Sequence, residues 1–128
     1  MCLEVTAIPR DPGKVSARRL AEASGLHVRK VGRHEALRFS FEPGCSCSLL
    51  ADEADIEGET WLLRADALDG LARALELLAR EAHGFTFSAT WIGENSQSEE
   101  LVRLSEVLAD VRANRIKNRH NYRVGGAG

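Results

Sequence analysis

Hydrophobic periodicity divides the first third of the chain into a strand, a helix and two further strands. Apolar and polar residues alternate over residues 3–7, which is the period of a half-buried strand. Asp11 followed by proline can begin a helix, with Ser16 as a later alternative, and the helical stretch stops at Gly25. From residue 26 to 41 the period returns to two, which predicts two more strands.

The rest of the chain repeats this change of period. Leucines recur on one helical face over residues 68–78, and Gly84 ends this predicted long helix. Residues 85–92 alternate strictly and predict a strand. A second amphipathic pattern over 101–111 predicts a third helix, and residues 120–124 predict a short terminal strand.

The order of these elements is β-α-β-β-α-β, followed by one more helix and strand. It predicts an α+β fold in two layers, with helices on one face of a mainly antiparallel sheet. The first six elements match a ferredoxin-like layout, which describes a fold and does not identify a function. We expect residues 1–128 to form a single α+β domain in which residues 125–128 are a disordered tail.

Composition adds limits on location and partners. No apolar run approaches the roughly 20 residues of a membrane span, so no membrane partner is expected. The start of the chain lacks the pattern of a secretory signal, and three cysteines are an odd number. Both features favour reduced thiols and a cytoplasmic location. The net charge is -2, and because basic and acidic stretches alternate along the chain, we do not expect nucleic acid as a partner.

Two cysteines, Cys45 and Cys47, stand one residue apart in the stretch "GCSCSLL". If a loop over residues 42–44 closes a hairpin, Phe41 faces the first thiol and Phe39 faces the second. Both thiols then pack in the core as small apolar side chains, and no metal or other cofactor is expected.

The alternative for this stretch is that Gly44 opens a helix. Cys45 would then lie at a helix N-terminus, where the pKa of a thiol falls and nucleophilic chemistry becomes possible. Under this interpretation the protein would be a thiol- or metal-dependent protein that uses Cys45 and Cys47.

Other motifs favour structural roles. The acidic stretch 53–64 partly matches a calcium loop, but Arg64 stands where a bidentate carboxylate is required, so we interpret the stretch as a solvated loop. Phe85 and Phe87 overlap the aromatic signature of RNA-recognition domains, yet they share one strand face as core residues do. No nucleophile–base pair or carboxylate pair is marked out by spacing, so we expect no catalytic activity.

We therefore predict a non-catalytic cytoplasmic binding or regulatory domain. Its partner would be another protein or a second copy of the chain, which would make it a homodimer. Short hydroxyl side chains on the outer sheet face suit contact with a protein surface, and a basic C-terminal segment suits an anionic partner or the protection of a sheet edge. The hydroxyl residues are Ser40, Ser46, Ser48, Thr86, Ser88 and Thr90, and the basic residues are Arg115, Lys117, Arg119 and Arg123.

Overall fold

The computed structural model describes residues 2–32, 35–51, 59–94 and 98–126. Over these residues the chain forms eight strands and three α-helices, with short 3-10 helices at Pro12–Lys14 and Ser46–Leu49. Residues 53–58 of the acidic stretch that partly matches a calcium loop lie outside the described residues. In chain order the elements are β1 (Leu3–Pro9), α1 (Ala17–Ser24), β2 (His27–Val31), β3 (Ala36–Ser40), β4 (Thr60–Trp61), α2 (Ala65–Glu81), β5 (Gly84–Trp91), β6 (Ser98–Val102), α3 (Leu104–Arg112), β7 (Ile116–Lys117) and β8 (His120–Gly125).

Six of these strands form one sheet in the order β2-β3-β1-β5-β8-β6. Neighbouring strands are antiparallel except for β6 and β8, which run parallel. The short strands β4 and β7 pair separately with each other. The predicted α+β class and the mostly antiparallel sheet are therefore confirmed. None of the described helices combines the length and the apolar character needed to cross a bilayer.

The core lies between the helices and one face of the sheet. Val5 of β1 and Phe87 of β5 are completely buried there, and so are Leu71, Leu75 and Leu78 of α2. Burying one such leucine or phenylalanine side chain stabilises the fold by about 1.5–3 kcal/mol. The alternation of β1 and β5 and the leucine stripe of α2 therefore have the structural role that their periodicity predicts.

The first helix begins at the later of the two predicted positions. Ser16 is the N-cap, and its hydroxyl accepts a hydrogen bond from the backbone N–H of Arg19 at 3.1 Å. Asp11 precedes only the 3-10 helix Pro12–Lys14 and makes no capping bond with its side chain. Gly25 ends α1 with a φ of 72°, a left-handed conformation that glycine adopts without a steric penalty.

A glycine inside α2 allows α1 and α2 to approach closely. A Cβ atom at Gly70 would lie only 2.4 Å from the carbonyl oxygen of Ser24, at the end of α1. Nearby, Asp69 and Arg73, four residues apart, form an ion pair on the outer side of α2. The absent side chain at Gly70 therefore sets the distance between α1 and α2.

The predicted third helix begins too early in the chain. Residues Ser98–Val102 form β6, which pairs with β8, and α3 begins only at Leu104. Leu101 is 77% exposed on this strand instead of packing in a helix. Leu101, Leu104 and Leu108 are spaced as on a helix, which is why the pattern predicts one. The backbone of residues 98–102 instead pairs with β8.

The terminal strand is present as predicted but lies inside the sheet. β8 has β5 on one side and β6 on the other, so its basic residues do not protect an edge. The strand also extends to Gly125, which pairs with Gly84 and therefore belongs to the sheet and not to a tail. Residues 127–128 lie outside the described part of the chain.

Candidate thiol and metal centre

The sheet has a gap where β3 leaves β1. These strands pair only at Thr6 with Arg38 and at Ala7 with Leu37. Towards the start of β1, the 3-10 helix Ser46–Leu49 takes the place of β3. We call this helix, together with its N-cap residue Cys45, the cysteine turn.

Side chains of the cysteine turn supply the hydrogen bonds that β3 would otherwise make. The buried hydroxyl of Ser46 accepts from the backbone N–H of Val5 at 2.9 Å and donates to the carbonyl oxygen of Phe39 at 2.5 Å. The sulfur of Cys47 accepts from the backbone N–H of Leu3 at 3.2 Å. Buried backbone groups need such partners, so the turn is fixed against both strands.

Further contacts hold the other side of the turn. The hydroxyl of Ser48 accepts from the backbone N–H of Phe41 at 2.9 Å. Leu49 is completely buried, and its carbonyl oxygen accepts from the backbone N–H of Arg64 at 2.8 Å. The hairpin predicted for this stretch is therefore wrong, because serine and cysteine side chains, and not a backbone ladder, join residues 45–49 to the sheet.

This arrangement brings all three cysteines together. Cys2 directly precedes β1, while Cys45 and Cys47 come from the turn, and their three Sγ atoms lie within 4.8 Å of one another. Cys2 is exposed and the other two are half-buried. The expectation that both thiols pack in the core is met only in part: Cys47 packs against the core, but it and Cys45 are half-buried. No sequence pattern predicted that Cys2 lies beside them, since only the contact between β1 and the turn places it there.

Cys45 and Cys2 differ in their protonation. The pKa of Cys45 is lowered, first by the backbone N–H of Cys47 and then by the side chains of Cys2 and Cys47, while desolvation opposes the shift. The N–H of Cys47 stabilises the Cys45 thiolate although the Cys45 side chain does not form a regular capping hydrogen bond. The pKa of Cys2 is raised because its S–H interacts with the Cys45 sulfur and because a second negative charge beside that sulfur is unfavourable. Cys45 is therefore the preferred thiolate.

The geometry of the cluster is compatible with a metal ion. Sulfur ligands at a zinc–sulfur distance of about 2.3 Å in a tetrahedron lie about 3.8 Å apart. The observed limit of 4.8 Å therefore requires a contraction of only about 1 Å. Over residues 2–32, 35–51, 59–94 and 98–126 no histidine or carboxylate joins this group, so its ligands are sulfur only.

The predicted hydroxyl face is only partly present. Ser40 and Ser46 are buried, which contradicts their expected position on an exposed sheet face. Ser40 donates to the carbonyl oxygen of Glu42 at 2.6 Å. Ser48 lies in the cysteine turn and not on the sheet. Three predicted residues do lie half-buried on the sheet face turned away from the core, which we call the open sheet face: Thr86, Ser88 and Thr90.

The open sheet face also carries long charged and apolar side chains. Ile8 and Leu101 are 37% and 77% exposed, and they line a hollow of about 320 Å³ together with Thr86 and Arg123. Arg123 forms an ion pair with Glu99 at 3.3 Å. This face is therefore more mixed than a surface of short hydroxyl groups.

The predicted basic segment does not form one continuous field. Arg119 pairs with Glu94 at 3.3 Å, and Arg123 pairs with Glu99 at the same distance. Lys117 lies on β7 and Arg115 precedes it, away from the six-stranded sheet. Glutamate neighbours therefore offset two of the four predicted cations.

A serine–histidine contact joins β6 and β8. The Oγ atom of Ser98 lies 2.7 Å from Nδ1 of His120, and Glu100 is 3.8 Å from the other ring nitrogen, beyond hydrogen-bond distance. Burial is the main cause of a lowered pKa for His120, so the ring favours its neutral form. Because Glu100 is not hydrogen-bonded to the ring, we interpret the contact of Ser98 with His120 as a link between two parallel strands and not as a nucleophile–base system.

Comparison of the chain with protein-family models, with curated proteins and with solved structures finds no match. Fold likeness therefore contributes nothing to the functional assignment. The three-cysteine cluster, with its proximity, its partial exposure and its unequal protonation, is the arrangement from which a function can be inferred.

Proposed function

We propose that the protein is a metal-binding domain in which Cys2, Cys45 and Cys47 hold one soft metal ion. The observation that supports this function is the convergence of three sulfur atoms within 4.8 Å from two separate parts of the chain. Thiolate ligands favour zinc, copper(I) and other soft ions over calcium or magnesium. This function develops the thiol or metal alternative that the sequence analysis raised for Cys45 and Cys47.

Protonation and hydrogen bonding support the same function. Metal binding requires deprotonated thiols, and the pKa of Cys45 is already lowered. The backbone N–H of Leu3 donates to the Cys47 sulfur, which is the kind of contact that orients and tunes a ligating group. Two of the three ligands are thus prepared by contacts that the folded chain makes without an ion.

The support around the sulfurs is rigid. Ser46 bonds to the backbone on both sides of the turn, and Leu49 anchors the end of the turn in the core. A ligand set held in place loses less conformational entropy when the ion binds, and the binding is stronger for that reason.

Titration of the fully reduced protein with Zn²⁺ and separately with Cd²⁺ tests this function. We expect one ion per chain, with absorption from thiolate-to-metal charge transfer in the Cd²⁺ complex. Cys45→Ser should weaken binding by at least about tenfold, because loss of an outer-sphere partner alone costs that much. Ser88→Ala, on the open sheet face, is the matched control and should bind as the wild type does.

Two results would contradict the metal function. One is the absence of a one-to-one complex with either ion. The other is equal affinity of the wild type and Cys45→Ser. Affinity should also fall as the pH is lowered, since protons compete with the ion for the thiolates. An affinity that does not change with pH would speak against thiolate ligands.

A binding role for the open sheet face is a second candidate. The specific observation is the pair of exposed apolar side chains, Ile8 and Leu101, beside the guanidinium group of Arg123. This combination suits an apolar segment with an acidic group, either in another protein or in a second copy of the chain. The strand order β2-β3-β1-β5 also supports a ferredoxin-like arrangement of β1, α1, β2, β3, α2 and β5. The sheet of that arrangement would present the open sheet face.

Light scattering can test the version of this role in which the chain forms a homodimer. We expect the mass of a dimer for the wild type and of a monomer for Leu101→Glu, because the added carboxylate would be buried at the contact. Leu62→Glu, at a residue that is 41% exposed elsewhere, is the control. A wild-type monomer would contradict the dimer.

A further inference from the structure

We propose that the three-cysteine cluster carries out thiol–disulfide exchange, with Cys45 as the attacking thiol and Cys2 as the thiol that resolves the mixed disulfide. This activity needs no metal ion and so does not rest on the function proposed above. Its substrates would be small or exposed disulfides of the class of oxidised glutathione.

The attacking role follows from the position of Cys45 within the cluster. Its sulfur is in contact with the side chains of both other cysteines, and the three Sγ atoms lie within 4.8 Å of one another. Cys45 is half-buried, so a substrate can reach it from solvent. A sulfur that is open to solvent and lies beside a second thiol can attack a disulfide and then be attacked in turn.

The resolving role follows from the position of Cys2. This residue is exposed, its Sγ lies within 4.8 Å of that of Cys45, and its S–H interacts with the Cys45 sulfur. Cys47 is less suited, because its sulfur accepts the N–H of Leu3. A bridge from Cys47 to Cys45 would also have to close around a single residue.

The reaction balances as two exchange steps. The Cys45 thiolate attacks one sulfur of a disulfide RSSR, forms a mixed disulfide with it and releases RS⁻. The released thiolate takes the proton of Cys2, and the Cys2 thiolate then attacks the Cys45 sulfur and releases a second RS⁻, which is protonated by water. In total, two protein thiols are oxidised to the Cys2–Cys45 disulfide while RSSR is reduced to two RSH.

The test uses metal-free reduced protein, oxidised glutathione in the presence of a chelator, acid quenching and mass spectrometry. The wild type should lose the mass of two hydrogen atoms, and peptide mapping should place the bridge between Cys2 and Cys45. Cys2→Ser should instead accumulate a mixed disulfide with glutathione on Cys45. Cys45→Ser should react at least about tenfold more slowly, because it lacks the sulfur that contacts both other thiols. Ser88→Ala, on the open sheet face, is the matched control and should close the same bridge as the wild type.

Several outcomes would overturn this inference. A wild-type bridge that includes Cys47 would assign the resolving role to that residue. An internal disulfide in Cys2→Ser would do the same. An unchanged rate in Cys45→Ser would remove the attacking role. The mapping of the wild-type bridge requires no substitution, so the inference stays testable even where a variant folds poorly.

Discussion

The two halves of β1 satisfy the same kind of backbone group in different ways. Thr6 and Ala7 pair with β3 in a regular antiparallel ladder. Leu3 and Val5, four and two positions before Ala7, instead donate to a cysteine sulfur and to the hydroxyl of Ser46. The backbone of β3 therefore pairs with one half of β1, and side chains of the cysteine turn accept hydrogen bonds from the other half.

This difference explains how a reactive cluster arises at an otherwise ordinary sheet. A backbone ladder places no chemistry at the strand edge, because every donor is matched by a carbonyl oxygen. Where side chains supply the acceptors, their identity matters, and here one acceptor is the sulfur of Cys47. The same contact holds Cys45 beside Cys2, so the structural requirement and the candidate chemistry involve the same residues.

Ser46→Ala should have the largest effect on stability. Its hydroxyl is completely buried and joins two backbone groups, the N–H of Val5 and the carbonyl of Phe39. Each buried group left without a partner costs about 1–3 kcal/mol, so we expect a loss of about 3 kcal/mol in the free energy of unfolding. Urea denaturation followed by circular dichroism measures it.

Ser88→Ala, on β5 opposite Thr6, is the control for the half of β1 that pairs with β3. Its hydroxyl lies 3.4 Å from that of Thr6 on the open sheet face, which is a long contact, so the loss should stay below about 0.5 kcal/mol. Equal losses in Ser46→Ala and Ser88→Ala would show that the side chains of the cysteine turn do not stabilise the half of β1 that contains Leu3 and Val5.

Cys47→Ala should have an intermediate effect. The substitution removes the acceptor of the Leu3 N–H and some packing against the core, and we expect a loss of about 1 kcal/mol. Cys47→Ser keeps an acceptor at this position, so it should recover part of the loss. If the serine variant were less stable than the alanine variant, the hydrogen bond to the sulfur would not be the stabilising contact.

The periodic elements of this fold are predictable from sequence because they are half-buried. β1 and β5 alternate since one of their faces lies in the core, and α2 shows its leucine stripe for the same reason. β6 has no such pattern, because four of its five residues are exposed. Its pairing with β8 is decided by the sheet and not by its own side chains.

The candidate site could be predicted only in part. The alternative in which Gly44 opens a helix predicts a terminal position and a lowered pKa for Cys45. Cys45 is the N-cap of the 3-10 helix Ser46–Leu49, and the backbone N–H of Cys47 is the main cause of its lowered pKa. The alternation of Ser46 and Cys47 imitates a strand, although it arises because successive side chains reach different backbone partners. The contribution of Cys2 depends on a contact between distant parts of the chain, which no local pattern records.

Cys45→Ser should have the smallest effect on stability near neutral pH, below about 0.5 kcal/mol, and its effect should depend on pH. Folding lowers the pKa of Cys45 from its usual value of 9.0, so the folded state favours the thiolate. Its stabilisation is therefore complete above pH 9.0 and is lost as the pH falls through the lowered pKa of the folded state. Comparison in the Cys2→Ser background avoids the opposing titration of Cys2.

Alkylation by iodoacetamide as a function of pH measures the same difference directly, residue by residue. The rate at Cys45 should rise with a midpoint below 9.0, and the rate at Cys2 with a midpoint above it. In Cys2→Ser the Cys45 midpoint should move up but stay below 9.0, because its largest cause, the Cys47 backbone N–H, remains. A midpoint for Cys45 at or above that of Cys2 in the wild type would show that the turn does not prepare a thiolate.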